Sequence, residues 1–336
     1  MGQKRPRFFA RLEAGSDMSI EVVYRLARED DLSVMRLIQS KALYDLVVTR
    51  SGRPPSAIAI TDEPSTEMAH LLRTDAKLAW LAIENGRPIG LSVGFVRGEL
   101  WFLADLFVLP EAHGRGIGGQ LLERCIAAGM ERGARIRAVA ASHDLGAQTL
   151  YIRAGMVPRF PLFGIEGFAQ ALRNLSSPKT RVGETIKRIE PSKASIRKLG
   201  DLDDMIWGRR RDGDHRFWLD ESRLTCLAIA DADGEIVAYA YYSSADSKEP
   251  WDREPRRIGP VAARNGRQQL SLLRAIGDAM NDQARATVEF RVPGINMTVL
   301  SALLGAGFKI DHLGHFMASR GFGHFERYLP SGGTLL

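Results

Sequence analysis

Residues 101–119 of the chain read WFLADLFVLPEAHGRGIGG. Trp101 to Leu109 form an apolar strand, Pro110 to Ala112 a bend, and glycines follow at 114, 116, 118 and 119 before the helical run Gln120-Leu-Leu-Glu-Arg-Cys-Ile. Strand, glycine loop and helix, in that order, suit an anion. A helix start leaves its first backbone N–H groups unpaired and carries the positive end of the helix dipole. Glycine lets a phosphate approach those groups and lets the loop adopt conformations that a Cβ would forbid. Arg115 would add a cation to the grip on a pyrophosphate. The stretch therefore predicts a site for a phosphorylated ligand.

Gly114, Gly116 and Gly119 also satisfy G-x-G-x-x-G, the dinucleotide fingerprint. That fingerprint follows the first strand of a βαβ unit directly and expects an acid about 20 residues on. Here Pro110 to His113 intervene, a hairpin comes first, and Ala134 to Ser142 contains no Asp or Glu. The dinucleotide reading fails on context. A glycine-rich turn without a ligand is the remaining bland reading.

Leu103 to Leu122 resembles the central motif of the GCN5-related N-acetyltransferase (GNAT) family, Gln/Arg-x-x-Gly-x-Gly/Ala entering a helix after a strand. The glycines fall at Gly116 and Gly118, with His113 at the Gln/Arg position. A second segment, Asp144 to Met156, is similar to that family's Asn-x-x-Ala-x-x-Leu-Tyr-x-x-x-Gly-Phe. It keeps Ala147, Leu150, Tyr151 and Gly155, with Asp for Asn and Met for Phe. The resemblance implies acetyl-CoA as co-substrate and a primary amine as acceptor. It implies cofactor contacts at Phe107, Val108, Leu109, His113, Gly114, Arg115, Gly116, Ile117, Gly118, Gly119 and Asp144. In the implied fold this strand splays from its neighbour, freeing backbone N–H groups near Phe107 to Leu109 for the thioester carbonyl, a large term in acyl transfer. No metal is implied, and no metal-ligand spacing occurs.

The remaining chemistry concerns protons. A lysine-like amine with a pKa of ~10.4 costs roughly 4–5 kcal/mol to hold neutral at pH 7, so a base helps. Asp105 is the acid on the strand, although a regular strand would turn it away from the face of Ala104, where the family often carries its acid. Glu99, Glu111 or an ordered water are the alternatives. The departing thiolate takes a proton best from a positioned acid. The family places a tyrosine four residues before the Gly of its Gly-Phe pair, which is Tyr151 here; a plain core tyrosine is the structural alternative. His143, beside Asp144, lies within reach of the same region.

Outward from the motif, VVYRLA from Val22 reads as a strand, Asp30 to Val47 as one helix or two, Gly52 to Ser65 as a Pro-rich loop, and Thr66 to Thr74 as a helix. Asn85-Gly86 between apolar runs marks a hairpin, and Ile136 to Ala141 a strand. The second half repeats the order. KRIEP is a strand and Ser192 to Gly208 a helix; Asp233-Gly234 turns a second hairpin. RRIGPVAA, QQLSLLRAIGDAM and TVEFRV follow as strand, helix and strand, and Asn296 to Phe308 resembles the second family segment. The Asn296–Gly307 and Asp144–Gly155 intervals both span 11 residues, which argues for tandem copies. The second copy has Leu303 where the first has Tyr151, and its loop Ala263 to Arg267 holds one glycine. It reads as a structural or acceptor-binding copy.

The expected fold is α/β with a mixed α+β sheet: two tandem GNAT-like domains, each a mostly antiparallel sheet flanked by helices, with a splayed central strand pair. The division is a mobile basic tail 1–18, an N-terminal catalytic domain 19–173, a linker 174–184 and a C-terminal domain 185–336. Acceptor loops are expected in Asp45 to Ser65. The alternative function is a non-catalytic acyl-CoA sensor or partner-binding module.

Composition sets the outer bounds. The 336 residues suffice for two domains, and Lys plus Arg (46) exceed Asp plus Glu (40), which favours anionic ligands. The basic runs Lys4 to Arg7 and Arg209-Arg210-Arg211 carry no nucleic-acid motif and read as a solvated basic face. No apolar run approaches a membrane span, and the N-terminus lacks a secretory core, so the expected location is cytoplasmic. Cys125 and Cys226 sit in apolar patterns and read as buried free thiols. Nothing in the sequence sets the oligomeric state.

Overall fold

The structure is a computed structural model and describes residues 21–54, 58–176, 181–244 and 256–336. The tail 1–18, residues 55–57 of the expected acceptor loop and residues 177–180 of the linker lie outside the described residues.

The first half runs β1 (Val22–Leu26), α1 (Leu32–Tyr44), a π-helical turn (Asp45–Thr49), α2 (Thr66–Thr74), β2 (Ala79–Glu84), β3 (Arg87–Arg97), β4 (Leu100–Val108), α3 (Ile117–Glu131), β5 (Ile136–Ala141), α4 (Leu145–Arg153) and β6 (Val157–Phe168). The second half runs β7 (Thr185–Arg188), α5 (Lys193–Trp207), α6 (Asp212–Arg216), β8 (Thr225–Ala230), β9 (Ile236–Tyr242), β10 (Arg256–Ala263), α7 (Gly266–Ala279), β11 (Thr287–Pro293), α8 (Met297–Gly305), β12 (Lys309–Ala318) and β13 (Tyr328–Leu329). Local chemistry explains the boundaries. Ser65 caps α2 through the Met68 N–H at 3.1 Å, and Ser192 caps α5, which ends at Gly208 in the left-handed region. Asn85 and Gly86 both have positive φ (49° and 77°), as a type I′ hairpin turn requires.

The sheet is mixed: β4–β5 and β10–β11 are parallel and the other pairs antiparallel. Its order is β1-β2-β3-β4-β5-β12-β6-β11-β10-β9-β8-β7, with β13 on β10. The two repeats have thus exchanged their last long strands. β5 of the first copy pairs with β12 of the second, and β11 of the second pairs with β6 of the first. β12 and β6 then pair with each other along Lys309–Ala318 and Val157–Glu166. At the crossing, Gly314 lies so close to β5 that a Cβ there would sit 2.5 Å from the Ala141 carbonyl oxygen.

The core follows this shared sheet. One cluster spans both copies on the face of α1, α2 and α5, with Met35, Leu71, Leu199, Trp207, Trp218 and Phe316 among its residues. Separate clusters lie under α3 and α4 (Leu122, Cys125, Met317) and under α7 and α8 (Leu272, Ile276, Val299). Cys125 and Cys226 are buried and unbonded to each other. The 209–211 run is a solvated face only in part: Arg210 is exposed and Arg211 is not. Arg211 is buried, donates to Asp203 at 2.6 Å and to the Tyr239 hydroxyl at 2.8 Å, and lies between the Trp207 and Trp218 rings. Arg210 pairs with Asp201 and Asp212. A charge run read without its partners looks solvated, and here acids on α5 and α6 pair with Arg210 and Arg211, while Arg209 bonds the Trp207 carbonyl. No helix among the described residues is long and apolar enough to cross a membrane.

Candidate active site

β4 and β5 pair only from Leu100–Ile136 to Leu103–Val139, and beyond that point they part. On its other edge β4 stays paired with β3 as far as Val108, with Ala104 as the extra residue of a bulge. Leu109 donates its N–H to the Ile89 carbonyl at 2.9 Å. Antiparallel pairs alternate between bonded and non-bonded, so Phe107 and Asp105 also turn their amides to β3, while Leu106 and Val108 turn theirs into the gap. This corrects the expectation for Phe107 to Leu109: of those three, Val108 alone offers its N–H to the gap. His113 donates from Nε2 to the Val108 carbonyl at 2.9 Å, which places its imidazole at the gap's edge.

The glycine loop turns through Gly114 (φ 75°) and Gly116 (φ 77°), conformations in which other residues are strained. Gly116 precedes α3, which has no side-chain cap, and the N–H groups of residues 114–119 have no partner among the described residues. A 15-residue helix thus presents a bare positive end beside the mouth of the gap. Ile117 is buried and contributes only its backbone, and the place of a Cβ on Gly118 or Gly119 makes ordinary contact with Leu150, at 3.4 and 3.7 Å. Arg115 does not reach into the loop: it pairs with Glu84 at the end of β2.

The bulge re-aims Asp105. Ala104 packs on the cluster beneath α1 and α2, and Asp105 faces α1 as well, where Gln39 Nε2 donates to its Oδ1 at 2.9 Å. Asp105 is 4% exposed, and its Oδ2 has no partner among the described residues. Burial pushes its carboxyl up to about 7; the Gln39 hydrogen bond opposes this and the Glu67 carboxylate adds to it. Such a group exchanges a proton near neutral pH, as a general base should.

Tyr151 is buried on α4, and its hydroxyl has no hydrogen-bond partner among the described residues. Burial raises its pKa well above the usual tyrosine value, and the carboxylates of Asp144 and Asp105 raise it further. Asp144 itself caps α4, accepting the Ala147 N–H at 2.6 Å, and pairs with Arg50. Burial works against its ionisation, but the Ala147 N–H and Arg50 hold it below the usual carboxylate range. Its side chain is therefore committed within the protein.

Several site residues were absent from the sequence reading. Gln39 occupies the buried stripe of α1 with Met35, Ile38 and Ala42, so a polar residue in an apolar helix face was the available signal. Residues 45–54 are tied across the cleft by Arg50 to Asp144, by Ser51 Oγ to His143 Nε2 at 2.9 Å, and by Arg53 to Asp311 at 3.0 Å. Asp311 belongs to β12, so the second copy forms part of the first copy's cleft.

The corresponding places in the second copy are filled by its own chain. Asn265 caps α7 through the Gln268 N–H at 3.1 Å. The Glu184 carboxylate takes Arg267 at 2.7 Å and the Gln268 amide at 2.9 Å beside that helix start. β10 parts from β11 after Arg257–Glu289, but β13 pairs with β10 at Val261–Leu329 and Ala262–Tyr328 and closes the gap. Leu335 and Leu336 are buried behind it, and the Leu336 carbonyl accepts from Arg211 and from Tyr328.

Residues 43–156 match the model of the acetyltransferase (GNAT) family. No curated protein sequence matches the chain. Among solved structures it is similar to a candidate acetyltransferase from Pyrococcus horikoshii, at 16% identity over 100% of both chains with a TM-score of 0.67. It is similar to a GCN5-related N-acetyltransferase from Sphaerobacter thermophilus, at 17% identity over 90% of this chain and 97% of that one, TM-score 0.57. It is also similar to a tandem GNAT protein of the clavulanic acid biosynthesis pathway, at 15% identity over 90% and 99%, TM-score 0.57. At these identities the likeness is one of fold, and it extends over both halves.

Proposed function

We propose that this chain, whose residues 43–156 match the GNAT family model, is an acetyl-CoA-dependent N-acetyltransferase acting on a primary amine through its first copy. The observation that carries this reading is the parting of β4 from β5 after Leu103, directly beside the uncapped start of α3. The residues fit the co-substrate. The unpaired N–H groups of 114–119 suit a pyrophosphate, and the Val108 N–H suits a carbonyl in the gap. When bound, acetyl-CoA supplies an acyl group activated as a thioester.

The chain's own groups then handle the protons. Asp105 accepts a proton from the incoming ammonium. Val108 donates its N–H to the acyl oxygen as negative charge develops there. As the nitrogen bonds the acyl carbon and the carbon–sulfur bond breaks, the Tyr151 hydroxyl, held protonated by burial, donates to the departing sulfur and regains a proton from the new amide nitrogen. Transfer is direct: Cys125 lies on the buried face of α3, donates to the Leu78 carbonyl at 3.2 Å, and burial pushes its thiol up to about 12, so it is no nucleophile at neutral pH.

Thiol release from acetyl-CoA across a panel of primary amines tests the reading. Tyr151→Phe should lower kcat by about 100-fold or more while acetyl-CoA affinity stays within about twofold. Wild-type turnover in that variant removes Tyr151 from the mechanism. Acetyl-CoA binding without turnover of any amine would favour the sensor.

A further inference from the structure

The second copy keeps an opening that β13 and Glu184 do not fill. A cavity of about 210 Å³ lies between β6, β12 and the loop after β12. Phe160, Phe316, Phe322 and Phe325 wall it, and Arg159 and Arg320 stand at its edge. Phe160 and Phe316 are stacked with centroids 4.9 Å apart, and Phe325 leans on both, at 5.0 and 4.6 Å. The repeat gives the position meaning. Arg159 and Phe160 follow Gly155 at the spacing at which Asp311 and His312 follow Gly307, and Asp311 borders the first cleft. At matched places, then, β12 carries an acid and an imidazole, and β6 carries a guanidinium and a phenyl ring.

Two of the three guanidinium groups here have no carboxylate bonded to them among the described residues. Among the described residues Arg159 bonds only the Ala318 carbonyl, at 3.1 Å. Arg209 lies over Phe322 at 4.7 Å, bonds only the Trp207 carbonyl at 3.1 Å, and its buried Nε has no partner. Arg320 reaches Glu99 at 3.3 Å, but both side chains are more than half exposed and Glu99 also serves Arg135. Three guanidinium groups around an aromatic cavity therefore share one exposed carboxylate. A ligand that fits must be anionic and aromatic. Its size is limited too, because the cavity lies below the ~300 Å³ at which drug-sized sites begin, so it has room for one ring.

We propose that this cavity is a binding site for a small aromatic carboxylate, its ring against the phenyl wall and its carboxylate between Arg159 and Arg320. Rings meet the wall by offset or edge-on stacking, and a guanidinium fork takes both oxygens of a carboxylate. The site is separate from the first cleft, although β12 runs through both.

Calorimetric titration of the full chain with phenylacetate tests this. The expected result is one saturable site per chain, unchanged by saturating acetyl-CoA. Phenylacetamide, which has the same ring and no charge, should bind about tenfold or more weakly. Arg159→Gln should weaken phenylacetate by a similar factor, and because Arg159 is exposed the variant should keep the wild-type circular dichroism spectrum. The proposal is overturned if phenylacetamide binds as well as phenylacetate, if Arg159→Gln changes nothing, if acetyl-CoA displaces the ligand, or if no saturation is reached.

Discussion

Replacing Asp105 with Asn should make the protein more stable at alkaline pH and inactive at every pH. Asp105 is 4% exposed, one oxygen takes the Gln39 amide, and the other has no partner among the described residues. Burial raises its carboxyl from 3.8 to about 7. The folded protein therefore keeps a proton that the unfolded chain releases between those values. Its contribution to stability is complete below pH 3.8 and is lost as pH rises through about 7. A rise of roughly three pH units, at about 1.36 kcal/mol each, amounts to about 4 kcal/mol.

Asn carries no charge and escapes this loss. Its extra N–H faces the place where Oδ2 lacks a partner, a fixed cost of about 1–3 kcal/mol that does not change with pH. Urea denaturation of both proteins from pH 4 to pH 8 separates the two effects. The variant's stability relative to wild type should climb by about 4 kcal/mol over that range and level off above pH 7. A difference that stays constant with pH would show that Asp105 ionises as in water, and the argument from burial would fail. The loss of amine turnover expected in the same variant follows from the role as base proposed for Asp105.

Two further outcomes follow from the glycine loop and its counterpart. Acetyl-CoA should bind once per chain, and Gly116→Glu should abolish binding, because it strains a residue at φ 77° and puts a carboxylate where the anion would lie; two calorimetric sites would mean that β13 leaves the second gap. Glu184→Gln should destabilise the protein at neutral pH. Arg267 chiefly, then the Arg181 N–H and the Gln268 amide, hold this carboxyl at about 2 against burial, so its stabilisation is present above about 4.5 and lost as pH falls toward 2. A wild-type-minus-variant difference in urea that does not shrink over that window would contradict the ion pairing.

Sequence legibility tracked how local each signal was. Asn85-Gly86, Asp233-Gly234, and Ser192 with Gly208 fixed turns and helix ends within a few residues of themselves, and those elements lie where the pattern put them. β6 and β12 left no such mark. VPRFPLFGIEGF carries two prolines and two glycines, β12 is bulged between Ile310 and His312, and β6 is bulged between Pro158 and Phe160, which breaks the two-residue alternation in both strands. Asp105 was legible as an acid but not in direction, because the bulge at Ala104 shifts the period by one. Arg115 and Arg211 depended on Glu84 and Asp203, and no sequence pattern names such partners.

Strand exchange also explains why a copy with its gap filled belongs to the working unit. Residues 19–173 hold the glycine loop, Asp105 and Tyr151 but not the strand beside β5. Cut away from the second half, β5 would expose its edge along Ala138–Ala141, and β6 would lose partners on both sides. Folding β6 back onto β5 is not an equivalent repair. At the crossing β12 has Gly314, seven residues after Gly307, while β6 has Leu162, seven after Gly155. A Cβ at that crossing sits 2.5 Å from the Ala141 carbonyl oxygen, so leucine cannot take glycine's place without moving the strand. The fragment 19–173 expressed alone should therefore aggregate, and co-expression with 174–336 should return a soluble pair that binds acetyl-CoA. A soluble, monomeric 19–173 that binds acetyl-CoA as the full chain does would mean that the first copy needs nothing from the second.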